Sequence, residues 1–130
     1  MNAWTIFWRD RRGGSAVEFG LLLPVFVMLI LGAMSASQMM FAVNSLHYAV
    51  EEAARCGAIN TTTCGTLAAT EQFAQGRYSG PAIQLQRFDA TNASCGRHVR
   101  ATGRFRLEAG IAVWNVPVSA ESCFAIPVTT

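Results

Sequence analysis

An α+β fold, in which one long N-terminal helix carries a small antiparallel sheet, follows from three observations on this 130-residue sequence. No charged side chain occurs from Phe19 until Glu51, a run far longer than any strand. Towards its end, apolar residues recur at alternating steps of four and three, the period of one helix face. After Pro81 the period falls to two, which marks strands.

The helix comes first. At about 1.5 Å per residue, residues 19–40 extend about 33 Å, enough to cross a hydrocarbon core of roughly 30 Å. Arg9, Arg11 and Arg12 precede the run, and no basic residue follows it before Arg55. By the positive-inside tendency this keeps the N-terminus in the cytoplasm and exports everything after the span. Pro24 removes one backbone hydrogen bond, which membrane helices tolerate, commonly with a bend. Glu18 is the expensive residue, since an ionised carboxylate at mid-bilayer costs about 2.5–3.5 kcal/mol. In a helix predicted over residues 17–56 it falls at the cytoplasmic mouth, where headgroups and the positive helix end reduce that cost.

Beyond the span, Met39, Val43, Leu46, Val50 and Ala53 keep one apolar stripe towards a single partner surface. Glu51 and Arg55 are spaced for an ion pair in the favourable order, and Gly57 can supply a left-handed stop. His47 and Tyr48 on this helix read as partly exposed polar residues rather than ligands. After a polar turn at residues 60–64, Thr63 can cap a second helix over residues 65–75, with Leu67 and Phe73 as apolar contacts and Gly76 as its stop.

Strands follow the loop at residues 77–81. Ile83 and Leu85 alternate with Gln84 and Gln86, and residues 89–96 are turn-like in composition. The clearest strand is 98–107: Val99, Ala101, Gly103, Phe105 and Leu107 point one way, and His98, Arg100, Thr102, Arg104 and Arg106 the other. Glu108, Ala109 and Gly110 turn the chain, and residues 116–126 form one or two last strand segments bounded by Pro117 and Pro127. Three or four strands result, with their apolar face on the helix stripe. The Arg100, Arg104 and Arg106 side reads first as a solvated face whose like charges keep an edge from pairing. Its functional reading is a docking surface for an acidic subunit or a polysaccharide.

Cys56, Cys64, Cys95 and Cys123 all fall after the span. In a small exported domain an even count reads as two disulfides that compensate for a thin core. Three connectivities exist; the favoured one closes the turn after the long helix with Cys56–Cys64 and ties the sheet turn to the last strand with Cys95–Cys123. A zinc site adding His47 or His98 is weaker, because no cysteine pair has the short CxxC spacing. No phosphate loop, nucleophile elbow or metalloprotease helix is present, so neither an enzyme nor a cofactor is expected. The ten basic residues, all arginine, meet eight acids. The excess comes largely from the N-terminal cluster, leaving an exported part near neutral that does not read as a nucleic-acid binder.

One pattern joins the N-terminal features. Gly13, then Gly14, Ser15, Ala16 and Val17, then Glu18 and Phe19 before an apolar run, resembles the processing site of class IV prepilins in its tight-adherence (Flp) form. The wider segment RRGGSAVEFGLLLPVFVMLILG, with the later MMFAVNSLHYAVEEAAR, resembles the TadE-like family of minor pseudopilins over residues 11–55. The resemblance implies a pilin-like plan and cleavage by a prepilin peptidase between Gly13 and Gly14. Glu18 would become the fifth mature residue, next to Phe19, and pair with the N-terminal amine of a neighbouring subunit, a charge pair suited to low dielectric. It departs from the pattern in a leader holding Trp4, Ile6, Phe7 and Trp8, with Asp10 inside the basic cluster.

The expected division is a leader at 1–13, a transmembrane and amphipathic helix at 14–58, and a small exported domain at 59–130. The expected role is assembly or initiation of a tight-adherence pilus or related secretion apparatus in the bacterial inner membrane. Its partners would be the lipid bilayer, the peptidase and other pilus subunits. An unprocessed single-span anchor with a periplasmic binding domain is the alternative. A secretory signal cut near residues 33–37 ranks last, because apolar character continues through Met39, Met40, Phe41 and Val43.

Overall fold

The computed structural model describes residues 13–128. Helix α1 runs Gly14–Ile59, α2 Thr61–Cys64 and α3 Leu67–Arg77, followed by strands β1 Gln84–Ala93, β2 Gly96–Ala109 and β3 Ala112–Phe124. The three strands form an antiparallel meander in the order β1-β2-β3, laid along the C-terminal half of α1. The α+β class and the long helix on a small sheet are as the sequence predicts.

The apolar run is helical throughout, with Pro24 inside α1, and both ends exceed the expected 17–56. At the C-terminal end, Gly57 is not the stop. It is buried within the helix, and a Cβ there would lie 2.8 Å from the Arg97 Cγ and 2.9 Å from the Thr70 Oγ1. Glycine is needed for close approach, not for a left-handed turn. Asn60 ends the helix instead and starts α2, its Oδ1 accepting from the Thr62 and Thr63 amides at 3.1 and 3.0 Å. Thr63 therefore lies inside α2 and caps nothing further on. Thr66 caps α3, its Oγ1 accepting from the Ala69 amide at 3.1 Å, and Gly76 stays inside that helix. Leu67 is exposed; Thr70 and Ala74 are the buried residues of α3, with Phe73 against the core margin.

The core is the predicted stripe meeting the predicted sheet face. Leu46, Val50 and Ala53 are fully buried together with Ala42, Ala49 and Ala54, and Met39 and Val43 flank them. Opposite lie Phe88 and Ala90 of β1, Val99, Ala101 and Phe105 of β2, and Val118 and Ala120 of β3. Alanines on both surfaces bring helix and sheet close, and the two phenylalanines fill the space between them.

The largest departures are in β1. The stretch 89–93, turn-like in composition, is strand, and only Ser94 and Cys95 turn, between the paired Ala93 and Gly96. Leu85 does not alternate inward: it has φ +53, sits in an irregularity between Gln84 and Arg87, and is 78% exposed. The register set by Phe88 opposite Ala101 overrides the short alternation seen at residues 83–86. Strand β3 begins at Ala112, four residues before the expected start, and includes Pro117 opposite Arg104. Being an edge strand, it accommodates a residue that has no N–H to donate outward.

Candidate functional site

The residues singled out at the N-terminus lie at the foot of α1. Gly13 precedes the helix with φ −92 and ψ 1, and Gly14 is its first residue. A Cβ at either position would meet nothing within 4 Å, so the peptide between them is open on all sides within the described chain. The helix starts three residues earlier than expected, and no acidic residue lies in its first turn. Glu18 therefore stands one turn up the helix, about 6 Å along the axis from Gly14. Both Glu18 and Phe19 are exposed, and no ion pair among the described residues includes Glu18. The remaining leader features, Trp4 through Arg12, lie outside the described residues.

From Gly14 to Phe41 the helix buries no residue. Its large side chains, among them Phe19, Leu21, Leu22, Phe26, Met28 and Leu29, stand in the open. In water such a surface would be unfavourable by about 25 cal/mol for each Å² of apolar area, so it needs an apolar surrounding. The helix is long and apolar enough to cross a membrane.

The candidates beyond the apolar half of α1 are distributed differently. The cysteines are joined as Cys56–Cys64 and Cys95–Cys123, with Cα separations of 5.7 and 6.2 Å. The first ties α1 to α2 and the second ties the β1–β2 turn to β3. All four sulfurs that a zinc site would need are thereby used, and no cluster of metal-binding side chains forms among the described residues. His47 is exposed, and the Nε2 of His98 lies 3.7 Å from a Glu121 carboxylate oxygen.

The arginine face is largely compensated. Arg100 sits in register between Asp89 of β1 and Glu121 of β3. The Arg87 Nε is 2.9 Å from the Asp89 carboxylate, and the Arg106 Nε is 2.8 Å from that of Glu108. Arg104, opposite Gln84 and Pro117, has no acidic register partner and takes part in no ion pair among the described residues. Assigning Asp89 to a turn concealed its place beside Arg100. The expected Glu51 to Arg55 pair is absent from the ion pairs of the described residues.

Sequence reasoning missed Arg97. It is buried on the helix side of β2, and its Nε donates to the Gly57 carbonyl at 3.3 Å. The signal was available in principle, since residue 97 shares the parity of Val99 and Ala101. A second tie lies at the other end of β2, where the Ser35 hydroxyl donates to the Glu108 carbonyl at 2.6 Å.

These features define a class: a small, disulfide-tied α+β domain carried on one helix that can cross a membrane. Within it, residues 13–55 match the family model described as TadE-like protein. No curated protein and no solved structure matches the chain. The match suggests involvement with tight-adherence pili: a structural rather than enzymatic role, at a membrane, alongside other pilus subunits.

Proposed function

We propose that this protein is a minor pseudopilin that helps assemble or initiate a tight-adherence pilus or a related secretion apparatus. Helix α1 holds it in the bacterial inner membrane, with the N-terminus cytoplasmic and the disulfide-tied domain in the oxidising periplasm. A prepilin peptidase cuts between Gly13 and Gly14, removing residues 1–13. The new Gly14 amine and the Glu18 carboxylate then lie one helical turn apart on an apolar rod. Neither charge is stable alone in a low-dielectric setting, so pairing each with its counterpart on a neighbouring subunit drives lateral association.

The observation that carries this reading is the position of the junction. The Gly13–Gly14 peptide coincides with the start of α1, so the cut would leave a complete helix with a charged amine at its tip. The test is the intact mass and N-terminal residue of protein isolated from its native membrane, with and without the peptidase. A peptidase-dependent start at Gly14 is expected. A start at Met1 in both cases would leave an unprocessed anchored domain. Glu18→Ala should abolish piliation while leaving processing intact, and normal piliation in that variant would sink the role given to Glu18.

A further inference from the structure

The β2–β3 hairpin ends in residues 109–114, Ala-Gly-Ile-Ala-Val-Trp, a tip without a charge or a hydrogen-bonding side chain other than the indole N–H. Water-facing hairpin turns favour Asn, Asp and Gly. Here Gly110, at φ +62, takes the first turn position and Ile111 the second, 96% exposed. Apolar exposure occurs on both faces of the tip. Val113, opposite Glu108, faces away from the helix and is 49% exposed; Trp114, opposite Leu107, is on the helix side and 52% exposed. Packing on α1 therefore explains neither.

The depth of the tip follows from how β2 is fixed on the helix. Its two ties are Arg97 to Gly57 and Glu108 to Ser35, so β2 runs antiparallel to α1 and the tip points towards the helix foot. The spacings agree, with about 33 Å of helix between Gly57 and Ser35 and about 36 Å of strand between Arg97 and Glu108. Gly32, Ser35 and Met39 are half-buried, extending the core stripe downward beneath the hairpin. A hydrocarbon core of roughly 30 Å entered at Phe19 takes about 20 residues, and so ends near residue 38. The hairpin already lies beside Leu31, Met34 and Ser35. Its tip is thus several residues below the level at which the span would leave the membrane.

We propose that this tip is a second membrane contact, seated in the outer-leaflet interface beside the span, with Ile111 and Val113 among the upper acyl segments and Trp114 at headgroup level. The inference rests on the reading of α1 as a transmembrane helix. Tryptophan favours that depth because its ring is apolar and its N–H stays wet. The nearest charges, Arg106 and Glu108, are paired with each other and lie where long side chains reach back to water. The contact fixes how the domain stands on the bilayer, since a span alone leaves rotation and tilt free.

Trp114 itself is the probe. The full chain carrying Trp4→Phe and Trp8→Phe is reconstituted at high lipid excess in phosphatidylcholine vesicles, brominated either near the headgroup end of the acyl chains or near their termini. Shallow bromines should remove most of the Trp114 emission, and deep ones much less. A parallel chain with Trp114→Phe and Val25→Trp reports on the span, and deep bromines should quench it. Quenching at position 25 with none at Trp114 would place the tip in water and overturn the proposal alone. No quenching at either position would overturn the span reading as well. Trp114 emission that follows the protein-to-lipid ratio but ignores bromine would mean a contact between copies, which also overturns it.

Discussion

The two halves of α1 have the same backbone and opposite surroundings. Below Ala42 the helix presents Phe, Leu, Met and Ile and buries none of them. From Ala42 upward its inner face is Ala42, Ala49, Ala53, Ala54 and Ala58 around Leu46 and Val50, and nearly all of these are fully buried. The upper half also carries Asn44, His47, Glu51, Glu52 and Arg55, none of them buried, but on the apolar faces themselves the difference is side-chain volume. Large apolar groups suit a surrounding that adapts its shape, such as lipid. A sheet has a fixed shape and can approach a helix closely only where side chains are small. The feature that marks the domain-bearing half is therefore its alanines rather than its leucines.

If that contrast is right, the same substitution should have different effects in the two halves. Leu46→Ala should destabilise the domain by about 2–5 kcal/mol, the range for a leucine removed from a packed core. Leu22→Ala should change domain stability by less than about 0.5 kcal/mol, since it touches no part of the domain. Urea unfolding of the detergent-solubilised chain, followed by near-UV circular dichroism, reads both. Comparable losses at the two positions would mean the lower half is also packed.

Glycine offers a second matched pair with a smaller effect. An added methyl at Gly57 meets Arg97 and Thr70, both buried, whereas at Gly20 it meets nothing within 4 Å. Gly57→Ala should lower stability by about 1–2 kcal/mol, because overpacking of about 1–3 kcal/mol outweighs the better helix propensity of alanine, under about 1 kcal/mol. Gly20→Ala should leave domain stability unchanged. A gain at Gly57 would show that Arg97 can swing aside, and the upper half would then be looser than described.

The smallest expected effect lies where the loop after α3 meets the sealed half. The Ser79 amide donates to the Ser45 Oγ at 2.9 Å, and the Tyr78 hydroxyl donates to the Pro81 carbonyl at 2.5 Å. Burial pushes the Tyr78 phenol above its ordinary value of 10.0. The unfolded chain then releases this proton first as pH rises. The stabilising contribution is complete below about pH 10 and is lost as pH climbs through the folded value. Alkaline melting curves should show a shallower decline for Tyr78→Phe than for the parent, and coincident curves would mean that Tyr78 is not held in this way.

Much of this architecture was legible in the residues. The uncharged run, the stripe from Leu46 to Ala53 and the alternation from Val99 to Phe105 each carry their own period, and each became the element expected. Local chemistry with several equivalent candidates was less legible. Asn60, Thr63 and Thr66 can all cap a helix, and the choice among them depends on where α1 ends. Turn-like composition at residues 89–93 yielded to strand pairing, because Phe88 and Ala90 gain more from the core than Asn92 loses by leaving a turn. The GxxxxEF pattern at Gly13 to Phe19 was visible because its meaning lies in spacing along one helix.

By itself the sequence determined which segments are helix and strand, which face of each is apolar, and that the first half of α1 requires an apolar medium. These are properties of residue type and period, and need no partner to be read. The tertiary structure alone decided how far down α1 the sheet is set, through Arg97 against the Gly57 notch at one end of β2 and Ser35 against Glu108 at the other. Each of these contacts joins residues 40 or more positions apart. No local pattern encodes their register, which comes from matching the shapes of two surfaces and sets the depth of the hairpin tip.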